Sequence, residues 1–163
     1  MTAPQAVAAV LIEARRYLDV REIPPGSNRG VVIDYCNREA GLDPKGAYPW
    51  CCSWAMQVGR QALGHRWPCP RTASVAALTH WADVQRCLEE TPAVGDLFVI
   101  WHPAVHRFAH VGWVTALQAD GTVDTIEANT SSGSGSREGW GTFARVRMLQ
   151  PADRAIRWTR ALT

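Results

Sequence analysis

The chain has 163 residues, of which 47% are hydrophobic, 20% charged and 9% aromatic. This composition excludes a mainly disordered or fibrous protein, and the length is sufficient for one domain with a sizeable core. The formal net charge of +2 does not indicate a nucleic-acid binder, and no apolar run reaches the roughly 20 residues needed to cross a bilayer. We therefore expect a single domain over residues 1–163, without nucleic-acid binding or membrane insertion.

Helical patterns dominate the first half of the chain. Pro4 stands where a first helical turn tolerates proline, and apolar residues then recur at helical spacing as far as Leu18. Gly41 is placed to cap the end of a second helix. The predicted helices cover Pro4–Leu18, Arg29–Ala40, Cys51–Leu63 and Ala73–Trp81.

After Pro92 the pattern changes to strands rich in Val, Ile, Phe, Trp and Thr. A Ser/Gly run over Thr130–Ser136 is interpreted as a flexible loop. The predicted strands are Leu97–Trp101, His110–Leu117, Thr122–Ala128, Thr142–Leu149 and Ile156–Thr159. Helices first and strands second predict an α+β domain, with the N-terminal helices packed on a C-terminal antiparallel sheet of about five or six strands.

The apolar segment Ala6–Ile12 has no basic region before it and is followed at once by charged residues. This pattern favours an amphipathic helix over a secretion signal. We therefore expect the protein to be made in the cytoplasm without a signal peptide.

Cys51 begins a predicted helix directly after Trp50. The five cysteines are an odd number without framework spacing, which favours reduced thiols. A thiol at a helix N-terminus meets the positive end of the helix dipole, which favours the nucleophilic thiolate. The alternative for Cys51 is a small buried hydrophobic residue. Cys52 is rotated about 100° around the helix, and we expect it to be a packed structural thiol.

His110 is the candidate base. Strand alternation places His110 and Gly112 on one face and Trp113 on the other. We predict that the face with His110 meets the Cys51 helix and that Gly112 leaves room for close approach of helix or substrate. The alternative is that His110 is only a packed or surface residue.

Glu127 and Asn129 share a face of the next predicted strand, one hairpin away from His110. A carboxylate or amide beside the imidazole would hold its tautomer and stabilise its cation, as a Cys–His pair requires. The alternative for Glu127 is a solvent-facing strand residue.

His102, His106 and His110 recur every four residues, and this spacing could suggest a zinc site. Such spacing converges only on a helix, whereas Pro103 interrupts this run and strands flank it. We therefore predict no zinc, and we place His102 and His106 on a loop beside the cleft.

Taken together and in this order, these elements resemble the CHAP (cysteine, histidine-dependent amidohydrolase/peptidase) domains, which are papain-like cysteine hydrolases. The resemblance covers about residues 28–147. It is carried by Asn28-Arg29-Gly30, Pro49-Trp50-Cys51, Val94-Gly95-Asp96-Leu97-Phe98, His110-Val111-Gly112 and Ile126-Glu127-Ala128-Asn129-Thr130.

The resemblance implies a papain-like fold in which Cys51 is the nucleophile, His110 the general base and acid, and Glu127 the group that orients it. Asn129 would be an auxiliary polar residue near the imidazole. Some members bind calcium through acids ahead of the nucleophile, but Asp43 is the only acid between Gly41 and Trp50. We therefore expect no metal and no cofactor.

The same scheme needs an oxyanion hole and a substrate groove. The backbone N–H of Cys51 would hold the oxyanion, with Tyr48 as a candidate for the second donor. Trp50 is a candidate wall of the groove and equally a candidate core residue.

The resemblance further implies a peptidoglycan hydrolase that cuts the amide between muramic acid and L-alanine, or an amide within the peptide stem or cross-bridge. It would act in the periplasm or cell wall as a phage-type lysin released by a holin, or as an antibacterial effector moved by a secretion machine. An effector would have an immunity protein as its partner, and we expect a monomer. Two alternatives remain open: the same machinery on a small peptide or polyamine conjugate, and a catalytically silent binding domain.

Overall fold

The computed structural model describes residues 1–131 and 139–162, in which four helices precede a six-stranded sheet. The helices are α1 (Ala3–Arg15), α2 (Val31–Glu39), α3 (Cys51–Leu63) and α4 (Val75–Val84). The strands are β1 (Leu88–Glu89), β2 (Leu97–His102), β3 (Arg107–Leu117), β4 (Val123–Thr130), β5 (Gly141–Arg147) and β6 (Arg154–Ile156). This arrangement confirms the predicted α+β, papain-like architecture.

The sheet is antiparallel in all its pairings, with the strand order β1-β6-β2-β3-β4-β5. Strands β2 to β5 follow one another as a meander, and β6 returns to pair with β2. The prediction placed the last strand at Ile156–Thr159, but β6 ends at Ile156 and a 3-10 turn, Trp158–Ala161, follows. The neighbouring strands β3 and β4 carry His110 and Glu127.

Helix α3 is the central helix of the fold. Every residue from Cys51 to Gly59 is buried, so the helix is enclosed on all sides rather than along one stripe. It packs against α1, α2, β3 and β4. At its C-terminal end Trp67 contacts Trp113 and Trp158, with ring centroids 5.8 and 5.0 Å away. These three tryptophans therefore form part of the core around this helix.

The two faces of β3 are the reverse of the prediction. Val111 and Trp113 lie in the large core with the helices, whereas Val114 packs with Phe98 on the other face. His110 and Gly112 pair directly with β2 residues on that second face. A period of two defines two faces but does not say which one meets the helices, and the face with Trp113 buries more apolar area.

Strands β3 and β4 each carry a β-bulge next to a candidate site residue. The register between β2 and β3 shifts just before His110, so that Ala109 is unpaired in the ladder. The register between β4 and β5 shifts between Glu127 and Thr130, where Asn129 has φ +54°. Bulges bend a strand and redirect its side chains, which is why they are frequent beside active sites.

The predicted Ser/Gly loop, Thr130–Ser136, falls mainly outside the residues that the structure describes. Within the described ranges, none of the helices is long and apolar enough to span a bilayer.

Gly112 provides a test of packing on the second face of the sheet. A Cβ at this position would lie 2.7 Å from Phe98 Cε1 and 2.9 Å from Glu127 Cγ. The close approach that the prediction assigned to helix or substrate is therefore made by these two side chains. We expect Gly112→Ala to lower the free energy of unfolding by about 1–3 kcal/mol, because the added methyl group must displace one of them.

Urea denaturation would measure this loss. Ala144→Val is the matched control, because it also adds apolar carbon to a strand, at an exposed position of β5. The control should stay within about 0.5 kcal/mol of the wild type. Equal stability of Gly112→Ala and the wild type would contradict the described packing.

Candidate active site

Cys51 is the first residue of α3, as predicted. The N–H groups of the first helical turn have no partner within the helix, because the ladder starts with Trp54 donating to Trp50 O. The side chain is only 5% exposed, yet it lines two adjoining clefts. The sulfur is therefore accessible from a groove while the rest of the residue is packed.

His110 lies at the centre of a hydrogen-bonded chain. Its Nε2 donates to Glu127 Oε2 at 2.8 Å, and its side chain also forms a hydrogen bond with Cys51. Because Nε2 is engaged with Glu127, Nδ1 is the ring nitrogen left for the thiol. The structure therefore brings together the three side chains that the sequence singled out, although His110 lies on the sheet face that was not expected.

The electrostatic environment favours a protonated His110. Burial lowers its pKa, but hydrogen bonds and charge interactions with Cys51 and Glu127 outweigh burial and raise the pKa to about 9. An imidazolium beside a thiol stabilises the thiolate, which is the nucleophilic form. The arrangement therefore places a positively charged imidazole beside the candidate nucleophile.

Glu127 is fully buried and is held by three partners. Besides His110, Thr125 Oγ1 donates to Oε1 at 2.6 Å, and Arg147 donates to both carboxylate oxygens. Burial raises the pKa of Glu127, but His110 and Arg147 outweigh it and lower the pKa to about 2. Glu127 is therefore ionised at neutral pH, as a group that orients an imidazolium must be.

Thr125 and Arg147 were not identified from the sequence. A buried carboxylate requires several donors, and this rule predicts that partners exist beyond the imidazole. Thr125 lies two residues before Glu127 and so shares its face, which alternation could have indicated. Arg147 comes from the neighbouring strand β5, and which of its arginines reaches Glu127 depends on the register and its bulge.

Trp50 does not line the substrate groove. It is 0% exposed, and its Nε1 donates to Oε1 of Glu22 at 2.9 Å. Glu22 is also buried and accepts a second hydrogen bond from the backbone N–H of Asn28. Of the two interpretations of Trp50, the structure therefore supports the core residue, and the prediction of a groove wall was wrong.

The Trp50–Glu22 hydrogen bond ties the segment before α2 to the start of α3. The residue held this way is the one directly before Cys51. Glu22 is thus a further residue that the sequence analysis missed, because its partner is 28 positions away in the chain.

A groove of about 450 Å³ leads to Cys51 from one side. Tyr48, 40% exposed, lies in its wall together with Arg71, the start of α4 and Arg107. A smaller cleft of about 180 Å³ adjoins the groove at Cys51, and His110 and Asn129 line it. The predicted residues Tyr48 and Asn129 therefore line one cleft each, and Asn129 is itself buried.

The remaining candidates lie away from this chain of hydrogen bonds. Cys52 is fully buried, and its thiol donates to Thr72 O at 3.7 Å. Burial raises its pKa well above the ordinary value, with a smaller contribution from Cys51. His102 ends β2 and His106 follows a short turn. Over residues 1–131 and 139–162, no three His, Cys, Asp or Glu side chains group in a way that would hold a metal ion.

The contact between Cys51 and His110 predicts how fast the thiol reacts. We expect His110→Ala to slow alkylation of Cys51 by iodoacetamide near neutral pH at least about tenfold, because the imidazolium no longer stabilises the thiolate. Peptide mapping by mass spectrometry would measure this, in a Cys52→Ala background that leaves one thiol in that peptide. Cys36 is the internal control: burial raises its pKa to about 12, so it should stay unlabelled. Equal labelling of Cys51 with and without the imidazole would contradict the described contact.

The raised pKa of His110 also predicts a pH-dependent stability. Because the folded-state pKa of about 9 exceeds the ordinary 6.5, this contribution is fully present below about 6.5 and is lost as the pH rises through about 9. Between about pH 6 and pH 9.5, the free energy of unfolding of the wild type should fall by on the order of 2 kcal/mol more than that of His110→Gln. Urea denaturation of both proteins at both pH values measures the difference, in which the ionisation of groups that do not interact with His110 cancels. Equal losses of stability in the two proteins would show that His110 does not contribute to the pH dependence.

Comparison with known proteins agrees with this geometry. The family model of the CHAP domain matches residues 43–129, which is more than half of the chain and includes Cys51, His110, Glu127 and Asn129. A search of the curated proteins finds no match. The chain therefore belongs to the CHAP domain family, whose members are generally amidohydrolases or peptidases.

Proposed function

We propose that this protein hydrolyses an amide bond of bacterial peptidoglycan, with Cys51 as nucleophile, His110 as general base and acid, and Glu127 as the orienting carboxylate. The observation that carries the proposal is the hydrogen-bonded chain from Cys51 through His110 to Glu127, which opens onto a groove in a member of the CHAP domain family. Cysteine hydrolases of this class need such a chain, because the carboxylate orients the imidazole and the imidazole activates the thiol.

The first half of the proposed reaction is acylation. The Cys51 thiolate attacks the carbonyl carbon of the amide, and the electron pair of the C=O bond moves to oxygen. When the tetrahedral intermediate collapses, the C–N bond breaks and Nδ1 of His110 gives its proton to the leaving nitrogen. The products are a free amine and a thioester on Cys51.

The second half is hydrolysis of the thioester. Neutral His110 removes a proton from water, and the oxygen attacks the thioester carbon. Collapse of this intermediate expels the thiolate and releases a carboxylic acid, while His110 keeps the proton. The thiolate–imidazolium pair is thereby regenerated, and one water is consumed for each amide cleaved.

The negative oxygen of each intermediate needs hydrogen-bond donors. The backbone N–H of Cys51, at the start of α3, lacks an intrahelical partner and is the first proposed donor. Tyr48 is proposed as the second, because it lies in the groove wall beside the thiol. Asn129, which lines the smaller cleft together with His110, is proposed as an auxiliary residue that limits movement of the imidazole.

The substrate determines where such an enzyme acts. A phage-type lysin would reach the wall through a holin, and an antibacterial effector through a secretion machine. In the second case an immunity protein that covers the groove would protect the producing cell. Both routes are part of the proposal, and both place the reaction in the periplasm or cell wall.

Digestion of purified sacculi tests the proposed function. The wild type should release fragments that mass spectrometry identifies by a new amine and a new carboxylate, and the same spectra identify the bond that was cut. Cys51→Ala should lose at least about a thousandfold in rate, because no other group replaces the nucleophile. Cys52→Ala is the matched control and should keep most of the activity, since Cys52 is buried.

The reverse result for the two cysteines would overturn the choice of nucleophile. Hydrolysis of small peptides or polyamine conjugates without any attack on sacculi would overturn the proposed substrate. The absence of any hydrolysis, together with Cys51 labelling no faster than a free thiol, would favour the silent binding domain.

A further inference from the structure

We propose that Arg107 binds a carboxylate of the substrate close to the scissile amide, so that the enzyme prefers peptide stems whose carboxylates are free. This inference rests on the proposed function, since it assigns a substrate preference to the same site. Three features of the molecule support it: the position of Arg107, the lack of a side-chain partner and the charge of its surroundings.

Arg107 lies between the two clefts that meet at the nucleophile. The 450 Å³ groove and the 180 Å³ cleft share four lining residues: Pro49, Cys51, Arg107 and Ala109. Arg107 therefore borders both clefts that reach the thiol, whichever of them holds the acyl part of the substrate.

The guanidinium of Arg107 is free to bind a ligand. The Arg107 side chain is exposed and forms no hydrogen bond or ion pair with any residue in 1–131 or 139–162. Arg71, which also lines the groove, differs because it donates to the backbone oxygens of Arg38 and Glu39. Arg71 thus holds the end of α2, whereas Arg107 has no structural role of this kind.

The surroundings of Arg107 favour an anion. Among the described residues that line the two clefts there is no aspartate or glutamate, while Arg71 adds a second positive charge to the larger one. A planar guanidinium with two parallel N–H groups matches a carboxylate, and the neutral neighbours Pro49 and Ala109 do not compete for it. Peptide stems present such carboxylates beside their amide bonds.

The backbone that carries Arg107 is held in the sheet. Arg107 begins β3 and pairs with His102 of β2, and next to this pair Trp101 and Phe108 stack edge to face with ring centroids 5.3 Å apart. The same strand holds His110 three residues later. A binding group on the strand that positions the catalytic base keeps a fixed relation to the reacting bond.

The test compares muropeptides from sacculi with the same muropeptides after their stem carboxylates are converted to carboxamides. We expect the wild type to cleave the free-carboxylate form with a kcat/KM at least about tenfold higher. Arg107→Gln should reduce kcat/KM on that form alone, so that the ratio between the two forms falls to about one. Arg107→Lys should keep part of the preference, because an ammonium retains the charge but not the paired geometry.

Arg15→Gln is the matched control, because Arg15 is an exposed arginine at the end of α1 and should leave the ratio unchanged. Equal cleavage of both forms by the wild type, or an equal loss on both forms in Arg107→Gln, would overturn this inference while the proposed function stands. If the wild type cleaves neither form and leaves sacculi intact, the proposed function fails, and this inference fails with it.

Discussion

The structure depends on a buried carboxylate. Taking Glu127 out of water is costly unless several donors replace the lost solvent, and His110, Thr125 and Arg147 supply them. This requirement makes the adjacency of β3, β4 and β5 essential, because each strand contributes one or more members of the network. Because the Arg147 guanidinium forms an ion pair with Glu127, the carboxylate stays ionised whether His110 is protonated or neutral. The network that stabilises the buried carboxylate therefore also keeps the imidazole oriented in both halves of the proposed reaction.

A second buried carboxylate positions the nucleophile. Glu22 accepts the indole N–H of Trp50, and Trp50 directly precedes Cys51. Helix α3 is enclosed by the core along its first nine residues, so its N-terminus cannot shift without disturbing that packing. Glu22 holds the start of the helix and Glu127 holds the imidazole. The Cys51–His110 contact is thus set from two sides by residues that do not touch the substrate.

Much of the candidate site could be predicted from the sequence because its signals are local. A cysteine at the start of a helical pattern, and His110, Glu127 and Asn129 on consecutive strands, follow from spacing alone. Two of the missed residues, Arg147 and Glu22, lie 20 and 28 positions from the residues they bind, and no periodicity relates them to these partners. The role of Trp50 could not be predicted for the same reason. A tryptophan beside the nucleophile can line a groove or lie in the core, and only the contact with Glu22 decides between the two. Arg107 was not singled out either, because its predicted place was the loop before the strand.

The sequence by itself determined the order of helices and strands, the α3 boundaries and the residues able to carry cysteine-hydrolase chemistry, because periodicity, caps and residue chemistry act over a few neighbouring positions. Only the tertiary structure decided which face of β3 meets the helices, which arginine pairs with Glu127, and that Arg107 lies between the two clefts. Alternation cannot choose between two faces, and a bulge changes the register after it. These outcomes depend on which arrangement buries the most apolar surface while every buried charge keeps a partner, and that balance is set by the whole fold.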